Sequence, residues 1–172
     1  KLLEEPPTDT VIIVTVANTQ HLLPTIRSRL QVIELIMPDK EELTNYFGNS
    51  SDAAKAYSLS GGMPGLMHAL LDDTIEHPLT KAVESAKELL SSPLTDRLML
   101  AAELSAKKDA ANQVAAALTR IAQAGLEQAT AKNDAKSLTR WQRVLSASNK
   151  ASESLGQHAN TKLVLTDLVL NM

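Results

Sequence analysis

Cysteine is missing from all 172 residues, so neither a disulfide nor a thiolate zinc site can be built from this chain. That absence fits a cytosolic, cytoplasmic protein. Aromatic residues amount to 2%, with one Trp, two Tyr and one Phe. A core must therefore be assembled from Leu, Ile, Val, Ala and Met, which suits packed helices better than a β-sandwich. Positive charge is not in excess: the formal net charge is −3, so no global positive field advertises nucleic-acid binding. No apolar run approaches the roughly 20 residues that cross a bilayer. The opening "KLLEEPPTDT" is too polar for a signal peptide, and it lacks an initiator Met, which gives the expectation that the chain begins partway through something larger. No G-x-x-x-x-G-K-[ST] occurs, so these residues carry no Walker A phosphate cradle.

What is present is a globular composition, 44% hydrophobic and 22% charged, whose pattern changes along the chain. "TVIIVTVAN", residues 10–18, is an almost unbroken β-branched run bounded by turn-formers. It reads as a strand buried on both faces. "QVIELIM", residues 31–37, reads as a second short strand ended by Pro38. Two strands cannot bury such a run alone. The expectation is that they close an α/β domain whose larger part lies upstream.

From Pro38 the period becomes helical. "PDKEELTNYF" places acids in a first turn and Leu43 four residues before Phe47. "SDAAKAYSLS" is a further short helix, broken by Gly61 and Gly62, and Pro64 suits the first turn of the next. Residues 38–77 thus form a small helical domain, and residues 78–172 an all-helical one. Its segments fall near 78–91, 94–105, 109–131, 134–155 and 159–171. Leu138, Trp141, Leu145, Ser148 and Leu155 fall close to one face. In the last segment Leu165, Leu168, Val169 and Met172 make a stripe that Leu163, Val164 and Leu170 widen almost around the helix, which predicts central burial.

Candidate chemistry is sparse. His21, His68, His77 and His158 have no metal-ligand spacing, and no Ser or Thr nucleophile is paired with a base. Glu4-Glu5, Glu41-Glu42 and Asp72-Asp73 sit at helix ends or in loops, where solvated caps account for them better than acid–base catalysis. "SGGMPG", residues 60–65, is best read as a helix break letting two helices meet tightly. Neither an enzyme active site nor a metal site emerges. Arg27 and Arg29 flank Ser28 in "LLPTIRSRLQ". Arginine presents a planar fork matched to phosphate oxygens. From a rigid turn it can reach a neighbouring subunit's nucleotide, where arginine fingers are worth roughly 10³–10⁵ in rate. Spacing alone favours the plainer alternative, surface ion pairs worth about 0–1 kcal/mol each.

The order of motifs adds a resemblance. "LLEEPPTDTVIIVTVANTQHLLPTIRSRLQVIEL" resembles the end of the AAA+ module in DNA polymerase clamp-loader subunits, where L-E-E-P-P precedes the sensor-1 strand and a Ser-Arg-Cys motif follows a short turn. Here the motif reads Ser28-Arg29-Leu30, keeping serine and arginine and losing cysteine. By that resemblance Arg29 matches the trans-acting arginine finger, Arg27 is its neighbour, and Asn18 lies about where sensor 1 would be. "YSLSGGMPGLMHALL" looks like the sensor-2 segment of the lid, with Gly62-Met63-Pro64-Gly65 where the ATPase subunits carry an arginine soon after the glycine. That departure, and the closing "ANTKLVLTDLVLNM", resemble the delta prime class of bacterial subunits, the stator, which typically does not work as an ATPase.

The resemblance implies a mainly α chain in three parts. These are an AAA+ remnant over 1–37 with leftover strands, a helical lid over 38–77 and a helical collar over 78–172. It implies a non-catalytic component of DNA polymerase III that helps load the sliding clamp during replication. Nucleotide-sensing positions would be Asn18, Arg27, Gly62 and Pro64, with no cofactor in these residues and ATP held by neighbouring subunits. Partners would be the gamma/tau motor and delta subunits, with the sliding clamp and primer-template DNA bound through the complex. No membrane is involved, and an unpaired apolar edge at 10–37 invites self-association. Two alternatives stand beside it. An ATP-hydrolysing gamma-like subunit needs an upstream Walker A and a sensor-2 arginine. A stand-alone helical adaptor needs no affinity for loader subunits.

Overall fold

The computed structural model describes residues 3–5, 7–16, 19–72, 74–75 and 77–172, with His21 described by its backbone alone. It divides into two compact units, Lys1–Ile36 and Met37–Met172.

The first unit holds a 3-10 turn, Thr19–His21, and the four-residue helix α1, Pro24–Arg27. Among the described residues no β-strand forms, which corrects the expectation of strands at 10–18 and 31–37. Ala17 and Asn18 lie outside the described residues. The runs have strand composition but no ladder. A strand is held by hydrogen bonds to a neighbouring strand, and β-branched side chains supply the fit to a sheet, not the sheet. The consequence is exposure of apolar surface: Val11 is 86% exposed and Leu35 and Ile36 are each 91% exposed.

Among its described residues the regular structure of the second unit is all helix, and its helix starts follow from local chemistry. Asp39 accepts a hydrogen bond from the Glu42 amide at 2.8 Å while Glu42 accepts from the Asp39 amide at 3.1 Å. This reciprocal pair starts α2, Lys40–Tyr46. Ser50 caps α3, Ser51–Ser60, which ends at Gly61 in the left-handed conformation, φ 63°. Pro64 opens α4, Pro64–Leu71, where its missing N–H costs nothing. Then follow α5, Thr80–Ser91, and α6, Leu94–Leu104, entered through Pro93. The longest pair is α7, Lys108–Ala131, and α8, Ala135–Gly156, started by Asp134. Asn160 caps α9, Thr161–Asn171. No helix among the described residues is long and apolar enough to cross a membrane.

Two buried clusters fill this unit. The larger joins Val83, Ala86 and Leu89 of α5 with Val114, Leu118 and Ile121 of α7, Leu155 of α8, Leu165 and Leu168 of α9, and Leu66 of α4. The smaller joins Leu43, Ala53, Ala56 and Met67, with Phe47 and Tyr57 at its edge. Both cores are aliphatic, as the shortage of aromatics requires, and the lone Trp sits at the rim of the larger.

The α7–α8 hairpin is the frame of the larger cluster. Its inner face on α8 is Val144, Ala147, Ser148, Ala151 and Leu155, all buried. Of the face expected from sequence, Ser148 and Leu155 are buried, while Leu138, Trp141 and Leu145 are only half-buried. Alanines facing the alanine-rich α7 let the backbones approach, so small residues rather than large ones mark the contact. Thr119 donates to Ser148 Oγ at 3.0 Å across it. Gly125 of α7 lies under the Trp141 indole so closely that a Cβ there would overlap the ring.

The last helix departs from expectation on one side. Leu165, Leu168 and Val169 are buried, but Leu163 and Leu170 are exposed. The helix packs on α6 and α8, and Lys150 Nζ of α8 donates to Asp167 Oδ2 at 2.9 Å. The helix also touches α7, and among the described residues Leu163 and Leu170 stay largely uncovered.

Candidate functional site

Arg29 stands just past α1, and the turn beneath it is defined by consecutive backbone bonds. Ile26 and Arg27 both donate to the Leu23 carbonyl, at 2.9 and 3.0 Å, and Ser28 donates to the Pro24 carbonyl at 3.0 Å. Pro24 is at the first helical position, where its fixed φ favours the turn. The Arg29 amide then donates to the Ile26 carbonyl at 3.1 Å. A long side chain thus starts from a short platform held by consecutive backbone hydrogen bonds.

The guanidinium folds over that platform. Nη1 donates to the Thr25 carbonyl at 2.7 Å, and the Ser28 hydroxyl donates to the same oxygen at 3.2 Å. Nη2 donates to Glu4 Oε1 at 2.9 Å, an ion pair whose side chains are 40% and 53% exposed. Water screens a pair this open, so its contribution to stability is about 0–1 kcal/mol. Arginine has five N–H donors and these bonds engage two, so the fork still presents donors to an incoming oxygen. Arg27 is exposed at the end of α1.

Of the remaining residues singled out from sequence, Gly62 and Pro64 belong to the second unit and are described there by themselves. Asn18 lies outside the described residues. Gly62, φ 79°, donates its amide to the Tyr57 carbonyl at 3.3 Å and to Ser60 Oγ at 3.2 Å. Pro64 begins α4. The break at Gly61-Gly62 does allow a close approach, by Arg120 of α7: a Cβ on Gly61 would meet Arg120 Cδ at 2.9 Å. Burial pushes the Arg120 guanidinium down from its usual pKa, and its buried Nη1 has no hydrogen-bond partner among the described residues.

Of the paired acids, Glu42 is part of a cap and Asp72 accepts from the amide and hydroxyl of Thr74, at 2.9 and 2.6 Å. Those bonds hold Asp72 below the usual carboxylate range. Asp73 is not among the described residues. Glu4 is different, since it turns to an arginine instead of a helix end. His77 Nδ1 accepts from the Leu79 amide at 3.2 Å, and His158 Nδ1 lies 2.6 Å from Lys108 Nζ. Among the described residues, no group of three or more His, Asp and Glu could hold a metal ion.

Sequence reasoning took Glu4 for a solvated cap without pairing it to Arg29, and it did not place Arg120 against Gly61. Both contacts span a long separation, 25 positions for Glu4 and Arg29, and local pattern carries no signal for them.

The site lies in the stretch where a comparison with known families succeeds. Residues 1–39 match the model of the family described as "DNA polymerase III, delta subunit". Glu4, Thr25, Ser28 and Arg29 all fall inside the match. It ties this part of the chain to a clamp-loader-related family of DNA polymerase III, over 39 of 172 residues. Neither the curated proteins nor the solved structures give a match.

Proposed function

We propose that this chain belongs to a stator subunit of the delta prime type in a DNA polymerase III clamp loader, and that it hydrolyses nothing itself. The observation that carries the reading is Arg29. It is an arginine on a bonded turn directly after Ser28, inside the stretch similar to the DNA polymerase III family, with donors to spare for a phosphate. In this role Arg29 acts as an arginine finger toward ATP bound by the adjacent motor subunit, with Arg27 beside it.

The exposed apolar runs at 10–16 and 31–37 form no ladder here, and in this reading their exposed surface belongs to the AAA+ remnant. Gly62, Pro64 and Asn18 belong to the nucleotide-sensing segments. Residues 38–77 are the lid and 78–172 the collar. The exposed Leu163 and Leu170 are suited to contact a neighbour in the ring. Partners are the gamma/tau and delta subunits, with the clamp and primer-template DNA engaged through the whole complex in the cytoplasm. At the lid segment Gly65 stands where the motor class carries its arginine, which supports the stator over the gamma-like alternative.

Co-purification tests the assignment. The tagged protein is expected to retain motor and delta subunits through gel filtration at physiological salt. Elution alone, as a monomer, from a mixture in which the other subunits assemble would refute it in favour of an adaptor.

A further inference from the structure

We propose that Glu4 is the positioning residue for the Arg29 guanidinium, fixing its plane so that the unengaged donors face a phosphate of an adjoining subunit. The proposal rests on the reading of Arg29 as a finger in trans.

The geometry is specific. One anchor, Nη1 to the Thr25 carbonyl at 2.7 Å, comes from the turn that carries the side chain. The other, Nη2 to Glu4 Oε1 at 2.9 Å, comes from a segment 25 residues earlier. A single bond leaves a guanidinium free to swing about it, while two bonds on different nitrogens fix a planar group. The Glu4 pair is too exposed to matter much for folding. An arginine finger, by contrast, works by placement, and its stem has many rotamers to lose. The two facts together put the consequence of Glu4 in the rate and not in the fold. What the carboxylate supplies is an acceptor at a fixed point, so a neutral amide oxygen in its place serves the same purpose.

The test uses the complete subunit in a reconstituted loader, with DNA-stimulated ATP turnover as the readout. Glu4→Ala is expected to lower kcat by roughly ten- to a hundredfold at the dependent site, with KM for ATP little changed. Glu4→Gln, which keeps an oxygen acceptor, is expected to restore most of the turnover. Glu4→Ala added to Arg29→Ala is expected to cost nothing beyond Arg29→Ala alone, because the residue acts only through the arginine. Wild-type turnover in Glu4→Ala beside a slow Arg29→Ala overturns the role of Glu4 and leaves the finger standing. Wild-type turnover in Arg29→Ala removes the finger and Glu4 with it. A faster Glu4→Ala makes the carboxylate a restraint and overturns positioning. So does a loss that Gln does not restore, or one that adds to Arg29→Ala.

Discussion

Gly125 and Trp141 face one another across the α7–α8 hairpin, and replacing the glycine with alanine sets two effects of opposite sign against each other. Gly125 lies mid-helix, where alanine is favoured over glycine by about 1 kcal/mol. Against that, the new Cβ would overlap the indole at its ring-fusion atoms, with Nε1 at 2.7 Å. The obstacle is the body of a rigid ring, so the clash is relieved only by moving the whole side chain or parting the helices. Overpacking of that kind costs about 1–3 kcal/mol. The balance for Gly125→Ala is therefore a loss of up to about 2 kcal/mol, or a fall in Tm of a few degrees at about 2–4 °C per kcal/mol. Trp141 is the single tryptophan in the chain, so its emission reports the same event and should shift to the red as the indole is pushed toward solvent. In a Trp141→Leu background the substitution should become neutral or stabilising. A higher Tm for Gly125→Ala with unshifted emission would show that the hairpin is not packed on this contact.

Two further outcomes follow from local chemistry. Asp134 caps α8, and its bonds from the Ser137 hydroxyl and amide, then Lys136, hold its carboxyl below the ordinary 3.8. A folded-state pKa below the unfolded one contributes stability that is complete above 3.8 and lost as pH falls below it. Asp134→Asn should accordingly flatten the acid limb of a pH titration of Tm, and an unaltered limb would discount the cap. Gly61→Ala places a side chain in a left-handed residue, φ 63°, against the Arg120 stem. The backbone alone costs about 1–2 kcal/mol, measurable as a lower urea midpoint, and an unchanged midpoint would mean that the α3–α4 corner relaxes freely.

The helices were legible because their ends are written in short-range chemistry. Asp39 with Glu42, Ser50, Gly61, Pro64, Asp134 and Asn160 each act within a few residues of where they stand. Faces were less legible. The α8 stripe runs through Ala147 and Ala151, whose small size is what lets α7 approach, while hydrophobic periodicity favours large residues such as Leu138 and Leu145. The apolar all-round pattern of α9 predicted burial that Leu163 and Leu170 do not have, because burial depends on neighbours and not on the helix alone. The same reason defeats the strand expectation at Ile13 and Leu35: composition describes a preference, and hydrogen bonding to a partner decides the outcome. Arg29 was visible in its motif, but its partner was not, since nothing near Glu4 marks it as the acceptor for a guanidinium 25 residues away.

The central claim is that Arg29 serves a phosphate on another subunit, and its most direct test is ATP turnover by a loader assembled around Arg29→Ala. With assembly and melting temperature unchanged, the motor site next to this subunit should lose about three to five orders of magnitude in rate. Arg29→Lys should not restore it, because a point charge lacks the planar fork. Undiminished DNA-stimulated turnover by the fully assembled Arg29→Ala complex would contradict the account.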